Sequence, residues 1–254
     1  MELKGKIAVI TGGASGIGLA LAIRFIAEGA TVVISDINGP ALKEKASEIG
    51  ATPIVTDVTK EEQVQALVEE STRLFGRIDL FVSNAGVAKY GDPFSAERDW
   101  DFSWHVNLMS QVYAAKYVLP QMIARGDGYL LNTASAAGLV VEFHSALYST
   151  TKHAAVGFAE WLAASYKDAG VKVSVLCPGG VKTPMAAELP NMMKEAIDPA
   201  DLADTVVKAI AKEQFMISTH EHIWQIFQMK AQDYDKYISL LGERRAYMLG
   251  LGEK

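Results

Sequence analysis

Short Val- and Ile-rich runs alternate with helix-length stretches from one end of this chain to the other, and that alternation constrains its fold more than any other feature. The runs fall at 7–10, 31–35, 52–55, 80–83, 128–133, 172–177 and 215–218. Each is strand length, and an apolar run of that kind needs cover on both faces. Helices are expected to start near Gly16, Pro40, Glu61, Trp100, Ala146 and Pro199, which makes a series of βαβ units. Thr59, with Glu62 three residues later, reads as a capping box, and Asp198-Pro199 as a cap residue before a proline in the first turn. The expectation is an α/β protein, a doubly wound parallel sheet of about seven strands with helices on both faces. Residues 1–254 are expected to form a single domain, since neither an internal repeat nor a Pro-, Gly- or Ser-rich linker divides them.

Composition narrows the function classes. Half of the 254 residues are hydrophobic and 21% are charged, enough apolar surface for a sizeable core. A net charge of -6 argues against nucleic acid as the main partner, because phosphate binding needs a basic surface. The lone cysteine, Cys177, rules out an internal disulfide or a thiolate metal cluster, and its place before Pro178 at a strand end suits burial rather than nucleophilic work. No apolar stretch approaches about 18 residues, so no membrane partner is expected. The first residues lack the charged-then-apolar layout of a signal peptide, and the protein is read as cytoplasmic.

The first strand runs into Thr11-Gly12-Gly13-Ala14-Ser15-Gly16-Ile17-Gly18, where a helix begins. Glycines belong where a strand turns sharply and its backbone must approach phosphates. The unpaired N–H groups and partial positive charge of the first helical turn suit a pyrophosphate. Gly12 is assigned the tight turn, Gly16 the close approach and Gly18 the packing of helix on sheet. Ser15 and Ile17, in the same turn, are candidate cofactor contacts. Asp36 closes the second strand eighteen residues past Gly18. That is near the spacing of the carboxylate that binds an adenosine ribose in Rossmann-type sheets. A carboxylate accepts from the ribose hydroxyls and repels a 2′-phosphate. Positions 14, 15, 37 and 38 hold no Lys or Arg, so NAD(H) is expected in preference to NADP(H).

Tyr148 and Lys152 stand four residues apart, on one face of a helix. A free tyrosine ionises near pH 10, too high for a base at neutrality, and a neighbouring cation lowers that value. The pair is therefore expected to trade a proton with an alcohol or ketone while hydride moves. Ser135 follows the fifth strand, where parallel sheets keep their sites, and its hydroxyl suits the oxygen on which charge develops.

Taken in order, these motifs resemble the compact branch of the short-chain dehydrogenase/reductases, over positions 5 to about 220. Gly12-xxx-Gly16-Ile17-Gly18 is similar to the family's cofactor turn. Asp57-Val58 resembles the pair that meets the adenine. Ser83-Asn84-Ala85-Gly86 resembles Asn-Asn-Ala-Gly, with serine in the first place. Pro178-Gly179-Gly180-Val181-Lys182-Thr183 resembles Pro-Gly-x-Val-x-Thr, and Ser135, Tyr148 and Lys152 match the catalytic set, with Asn107 at the family's helix asparagine. The resemblance implies that Asn107 anchors, through its backbone, a water leading from Lys152 to solvent. It also implies that Lys152 holds the nicotinamide ribose and that Val181 and Thr183 bind the carboxamide. It implies a homotetramer or homodimer, built through helices at 100–124 and 146–168.

Two segments are expected to shape the substrate pocket, 136–145 and a lid at about 184–198. Val141, His144, Met185 and Leu189 are the candidate substrate contacts, and Met192 and Met193 share the lid's apolar spacing. His220 and His222 lack a third ligand nearby in sequence, so no metal site is expected. The extension at about 224–254 is rich in aromatic and apolar residues, which suits burial against another subunit or over the site. The expected activity is an oxidoreductase acting on a secondary alcohol or ketone. The competing classes are a non-catalytic dinucleotide sensor on the same scaffold and a methyltransferase, neither of which needs the Ser135, Tyr148 and Lys152 set.

Overall fold

Val9 lies against one layer of helices while its neighbours Ala8 and Ile10 lie against the other. That alternation, repeated in β5 by Leu130 against Tyr129 and Leu131, is what a strand covered on both faces must show. The structure, a computed structural model, describes residues 1–187 and 196–248. Among them, seven strands form one parallel sheet in the order β3-β2-β1-β4-β5-β6-β7. The strands are β1 (Ile7–Thr11), β2 (Thr31–Asp36), β3 (Thr52–Val55), β4 (Leu80–Ser83), β5 (Gly128–Thr133), β6 (Val171–Cys177) and β7 (Met216–Ser218). Each lies within a residue of its expected bounds. The order reverses between β1 and β4, and the crevice beyond the carboxyl ends of such a pair is where ligands bind in open α/β sheets.

Helices α1 (Gly16–Ala27), α2 (Gly39–Ile49) and α8 (Pro199–Ala211) cover one face, through Phe25, Leu42 and Val206. Helices α3 (Glu61–Phe75), α5 (Ser110–Arg125) and α6 (Ala146–Tyr166) cover the other, through Leu67, Met122 and Leu162. Burying such a side chain fully contributes ~1.5–3 kcal/mol. Four more helices are α4 (Glu97–Trp104), α7 (Pro184–Ala187), α9 (Glu221–Gln232) and α10 (Tyr234–Met248).

Three local expectations are corrected. The helix expected at Trp100 starts at Glu97, and it does not run on uniformly to 124. A π-helical turn, His105–Met109, separates α4 from α5. A wide turn frees carbonyls from the usual ladder. Side chains take them up, with Ser110 Oγ donating to the Val106 carbonyl at 2.6 Å and Gln111 Nε2 to that of Asn107 at 3.0 Å. Thr59 does not cap α3, because its N–H (3.0 Å) and hydroxyl (2.7 Å) both donate to the Asp57 carboxylate. Lys60 holds the cap position without a side-chain bond. Asp198 does precede Pro199 at the start of α8, but its carboxylate pairs with Lys182 at 3.2 Å instead of capping. Among the described residues, no helix is long and apolar enough to cross a membrane.

Candidate active site

Gly12, Asn84 and Ser135 closely follow β1, β4 and β5, and all three line one cleft of about 350 Å3. Its floor is built by cross-ties between turns. The Thr11 hydroxyl accepts from the amides of Asn84 (3.0 Å) and Ala85 (3.1 Å), and Asn84 Nδ2 donates to the Thr11 carbonyl at 3.0 Å. Gly12 (φ +66) and Gly16 (φ +53) take the left-handed conformation that a side chain resists. A Cβ on Gly18 would stand 2.1 Å from the Gly12 carbonyl oxygen, which is why α1 can begin so close to β1 only with glycine there. Gly18 accordingly packs beneath the cleft and does not line it.

The expected cofactor residues otherwise gather along this cleft: Gly12, Ser15, Gly16, Ile17, Asp36, Asp57, Val58, Asn84, Ala85, Gly86, Pro178, Gly179, Val181 and Thr183. The Asp36 carboxylate is held between two turns, accepting from the amides of Ala14 in the glycine turn (3.2 Å) and Asn38 in its own loop (3.0 Å). A Cβ on Gly16 would come within 3.1 Å of the Thr183 side chain, so the 181–183 segment sits over the glycine turn. A cleft bounded by glycine backbone and a helix start, with a carboxylate at the end of the second strand, fits a dinucleotide.

The proposed chemical groups lie deeper. Ser145 caps α6, its hydroxyl accepting from the Tyr148 amide at 2.9 Å, and this fixes the first turn of the helix that carries Tyr148 and Lys152. The cap was not expected, although Ser145 directly precedes the helical pattern. The Tyr148 phenol and the Ser135 side chain line the same cleft, and Ser135 favours the ionised phenol. The Lys152 ammonium lies 5.6 Å from the Tyr148 ring centroid and donates to the Thr133 carbonyl at 3.2 Å. Lys152 is only 3% exposed, and burial pulls its pKa down to about 8. Asn107, at the π turn, does not line the cleft. Its side chain bridges loop and helix, accepting from the Val87 amide (2.9 Å) and donating to the Val87 carbonyl (3.0 Å) and the Thr151 hydroxyl (3.0 Å). Its carbonyl accepts from Gln111.

One electrostatic expectation is corrected here. Burial is the largest influence on Tyr148 and raises its pKa above the ordinary value, and the Ser135 hydroxyl opposes it. Burial, and not the neighbouring ammonium, sets the direction of this shift, and it acts on Lys152 in the opposite sense because both groups are disfavoured in their charged forms. Burial also pushes the Cys177 thiol up to about 12, which suits an inert core thiol.

Of the substrate contacts, His144 and Met185 line the cleft. His144 Nδ1 lies 2.5 Å from the Glu142 carboxylate and its ring meets Tyr90 edge-on at 6.4 Å. Val141 does not line the cleft. Its amide is held by the Tyr237 hydroxyl at 2.9 Å and its side chain is 39% exposed. Leu189, with Met192, Met193 and most of the expected lid, lies outside the described residues. Glu142, within the expected 136–145 segment, also lines the cleft, as do Tyr90, Phe102 and Val106, which lie outside both expected segments. Phe102 and Val106 stand four apart on consecutive helical turns, a periodicity that marks a shared face. His220 sits at the start of α9, its Nδ1 2.8 Å from the Thr219 hydroxyl, and its ring meets that of His222 edge-on at 5.7 Å. No group of three or more metal-ligating side chains occurs among the described residues.

Comparison with known proteins agrees with this fold. The family model described as short chain dehydrogenase matches residues 6–194. The chain is 39% identical over 189 residues to dehydrogenase/reductase SDR family member 6 of Aquarana catesbeiana, covering 74% of this chain and 76% of that protein. It is 34% identical over 258 residues to the 1-deoxy-11-beta-hydroxypentalenate dehydrogenase of Streptomyces exfoliatus, covering 94% and 92%. Among solved structures, a short chain dehydrogenase/reductase from Burkholderia phymatum in complex with NAD matches with a TM-score of 0.88 at 30% identity, covering 92% of this chain and 96% of that one.

Proposed function

The chain belongs to the short-chain dehydrogenase/reductase family, and we propose that it moves hydride between NAD(H) and a secondary alcohol or ketone with an apolar body. The observation that carries this reading is the meeting, in one cleft, of a phenol, a serine hydroxyl and a buried ammonium beside the phenol ring. A nicotinamide dinucleotide bound there supplies or takes up the hydride.

The chain's own groups handle position and proton. Asp36 would accept from the adenosine ribose hydroxyls, Asp57 and Val58 would meet the adenine, and the Gly12–Gly16 backbone would hold the pyrophosphate. Val181 and Thr183, after Pro178-Gly179, would hold the carboxamide, and Lys152 the nicotinamide ribose. Ser135 donates to the substrate oxygen and steadies the charge that grows there. Tyr148, kept protonated at neutral pH by burial, gives its Oη proton to a ketone oxygen, and in the reverse direction takes one from an alcohol. While charged, below about pH 8, Lys152 favours the phenolate that this transfer leaves. Phe102, Val106 and Met185 offer the substrate an apolar wall. Exposed Trp104, Ile123 and Trp161, on α4, α5 and α6, support self-association along those helices.

Tyr148→Phe tests the assignment. Turnover of a panel of hydrophobic alcohols and ketones should fall at least about 100-fold, with NADH affinity by fluorescence within about twofold of wild type. Retention of more than about a tenth of the activity removes Tyr148 from the proton step. NADH binding with no turnover by the wild type on any substrate would favour the dinucleotide-sensing class instead.

A further inference from the structure

The carboxyl-terminal helices have no task in the proposed reaction, yet two of their polar side chains are buried. Lys230, on α9, is 8% exposed, and Tyr237, on α10, is 1% exposed. A lysine is almost never fully buried unless it is paired, and no carboxylate lies within ion-pair distance of Lys230 among the described residues. It has partners of another kind. Its ammonium donates to the Leu139 carbonyl at 2.8 Å and lies 3.2 Å from His153 Nε2. The rings of Tyr234 and Tyr237 stand 5.5 and 5.6 Å away, in cation–π range.

These contacts define the state of His153. Its Nδ1 lies 2.8 Å from the Ser149 carbonyl and must donate there, so Nε2 carries the lone pair that accepts from Lys230. The imidazole is therefore neutral, and burial with the nearby ammonium lowers its pKa. Lys230 thus ties two pieces of chain together: the loop leaving Ser135, at Leu139, and the helix of Tyr148 and Lys152, at His153. Two residues along that loop, the Tyr237 hydroxyl accepts from the Val141 amide at 2.9 Å. Loop and helix are already in close contact, since a Cβ on Gly138 would stand 2.5 Å from the Lys152 carbonyl oxygen. The same loop then runs to Glu142, which exchanges two hydrogen bonds with Ser149 (2.9 and 3.0 Å), and to the cleft-lining His144.

We infer that Lys230 and Tyr237 are positioning residues, a clamp from the carboxyl-terminal helix pair that holds the 136–145 loop against α6 and so sets the Ser135–Tyr148 geometry. The inference rests on the assignment of Ser135 and Tyr148 to the proton step. Neither clamp residue touches substrate. They act on the gap between two groups that do, and a misplacement of about 1 Å there is enough to cost on the order of 100-fold in rate.

The test uses the full chain with three substitutions. Lys230→Met keeps the aliphatic stem and deletes the donors, Lys230→Arg keeps a cationic donor, and Tyr237→Phe removes the acceptor at Val141. Amide hydrogen exchange is followed over 136–145, with the central strands as internal reference, and kcat, KM and NADH affinity are measured alongside. In Lys230→Met, exchange over 136–145 should rise at least about tenfold while the sheet stays protected. In the same variant kcat should fall about tenfold or more, with NADH affinity within about twofold. Lys230→Arg should recover part of kcat, and Tyr237→Phe should release the Val141 amide in particular. Unchanged exchange in both Lys230→Met and Tyr237→Phe overturns the clamp. Raised exchange with unchanged kcat overturns its positioning role. If Lys230→Met fails to fold, Tyr237→Phe is judged by the same two criteria. If the wild type turns over no alcohol or ketone, the proposed activity falls while the exchange data still decide the clamp.

Discussion

Replacing Lys152 with Met asks whether α6 contributes a charge or only a shape beside the phenol. Met keeps the length and the apolar stem and deletes the ammonium, which lies 5.6 Å from the Tyr148 ring centroid. At that distance, with an effective dielectric constant of about 20, a unit charge is worth roughly 3 kcal/mol to a full phenolate, or about two pKa units. A transition state with half that charge loses about 1.5 kcal/mol, roughly a tenfold fall in kcat near neutral pH. The effect has a definite pH dependence. Burial lowers Lys152 to about 8, so the wild type carries the charge below that value and sheds it above. The ratio of wild-type to variant kcat should therefore be largest near neutrality and shrink as pH rises through about 8. The assay is kcat from about pH 6 to about pH 10 with saturating NAD+ and alcohol. NADH affinity is measured separately, because Lys152 is also assigned to the nicotinamide ribose. A ratio that stays flat across that range, or never exceeds about threefold, refutes the electrostatic argument and leaves Lys152 a purely positional group.

Two further outcomes concern the cofactor end of the cleft. Asp36→Ala should erode the preference for NAD(H), lowering the NAD/NADP ratio of kcat/KM by about tenfold or more; an unmoved ratio would mean that the ribose is held elsewhere. Gly18→Ala would force a methyl group to within 2.1 Å of the Gly12 carbonyl oxygen. It should cost ~1–3 kcal/mol, lower the melting temperature by several degrees and weaken NADH binding, and an unaltered melt would show that the turn is packed otherwise.

The sheet is legible in the sequence because its strands are covered on both faces. Full burial leaves continuous runs such as Ile7-Ala8-Val9-Ile10, and the helices between them leave room for only one class of connection. The cofactor end is legible for a similar reason, since a steric demand at Gly12, Gly16 and Gly18 admits a single residue type. What escapes depends on contacts between distant segments. The π turn at His105–Met109 is invisible to a helical pattern that looks unbroken across it. Val141 reads as a pocket residue until Tyr237, far along the chain, takes its amide. Nothing adjacent in sequence marks Lys230 for burial, and only the fold sets the Leu139 carbonyl and His153 in its reach. The direction of the Tyr148 shift is set by burial, and burial is set by tertiary packing.

The wide turn at His105–Met109 also limits how this chain can vary. It carries one residue more than a regular helix needs for the same advance, and so resets the angular phase between the helical segments on its two sides. Upstream, Phe102 looks into the cleft; downstream, Val118 and Met122 look into the sheet. Excising one residue there would swing one half by about 100° relative to the other. Either the cleft would lose its wall or the sheet its cover, so length at this point is fixed even though no single side chain demands it.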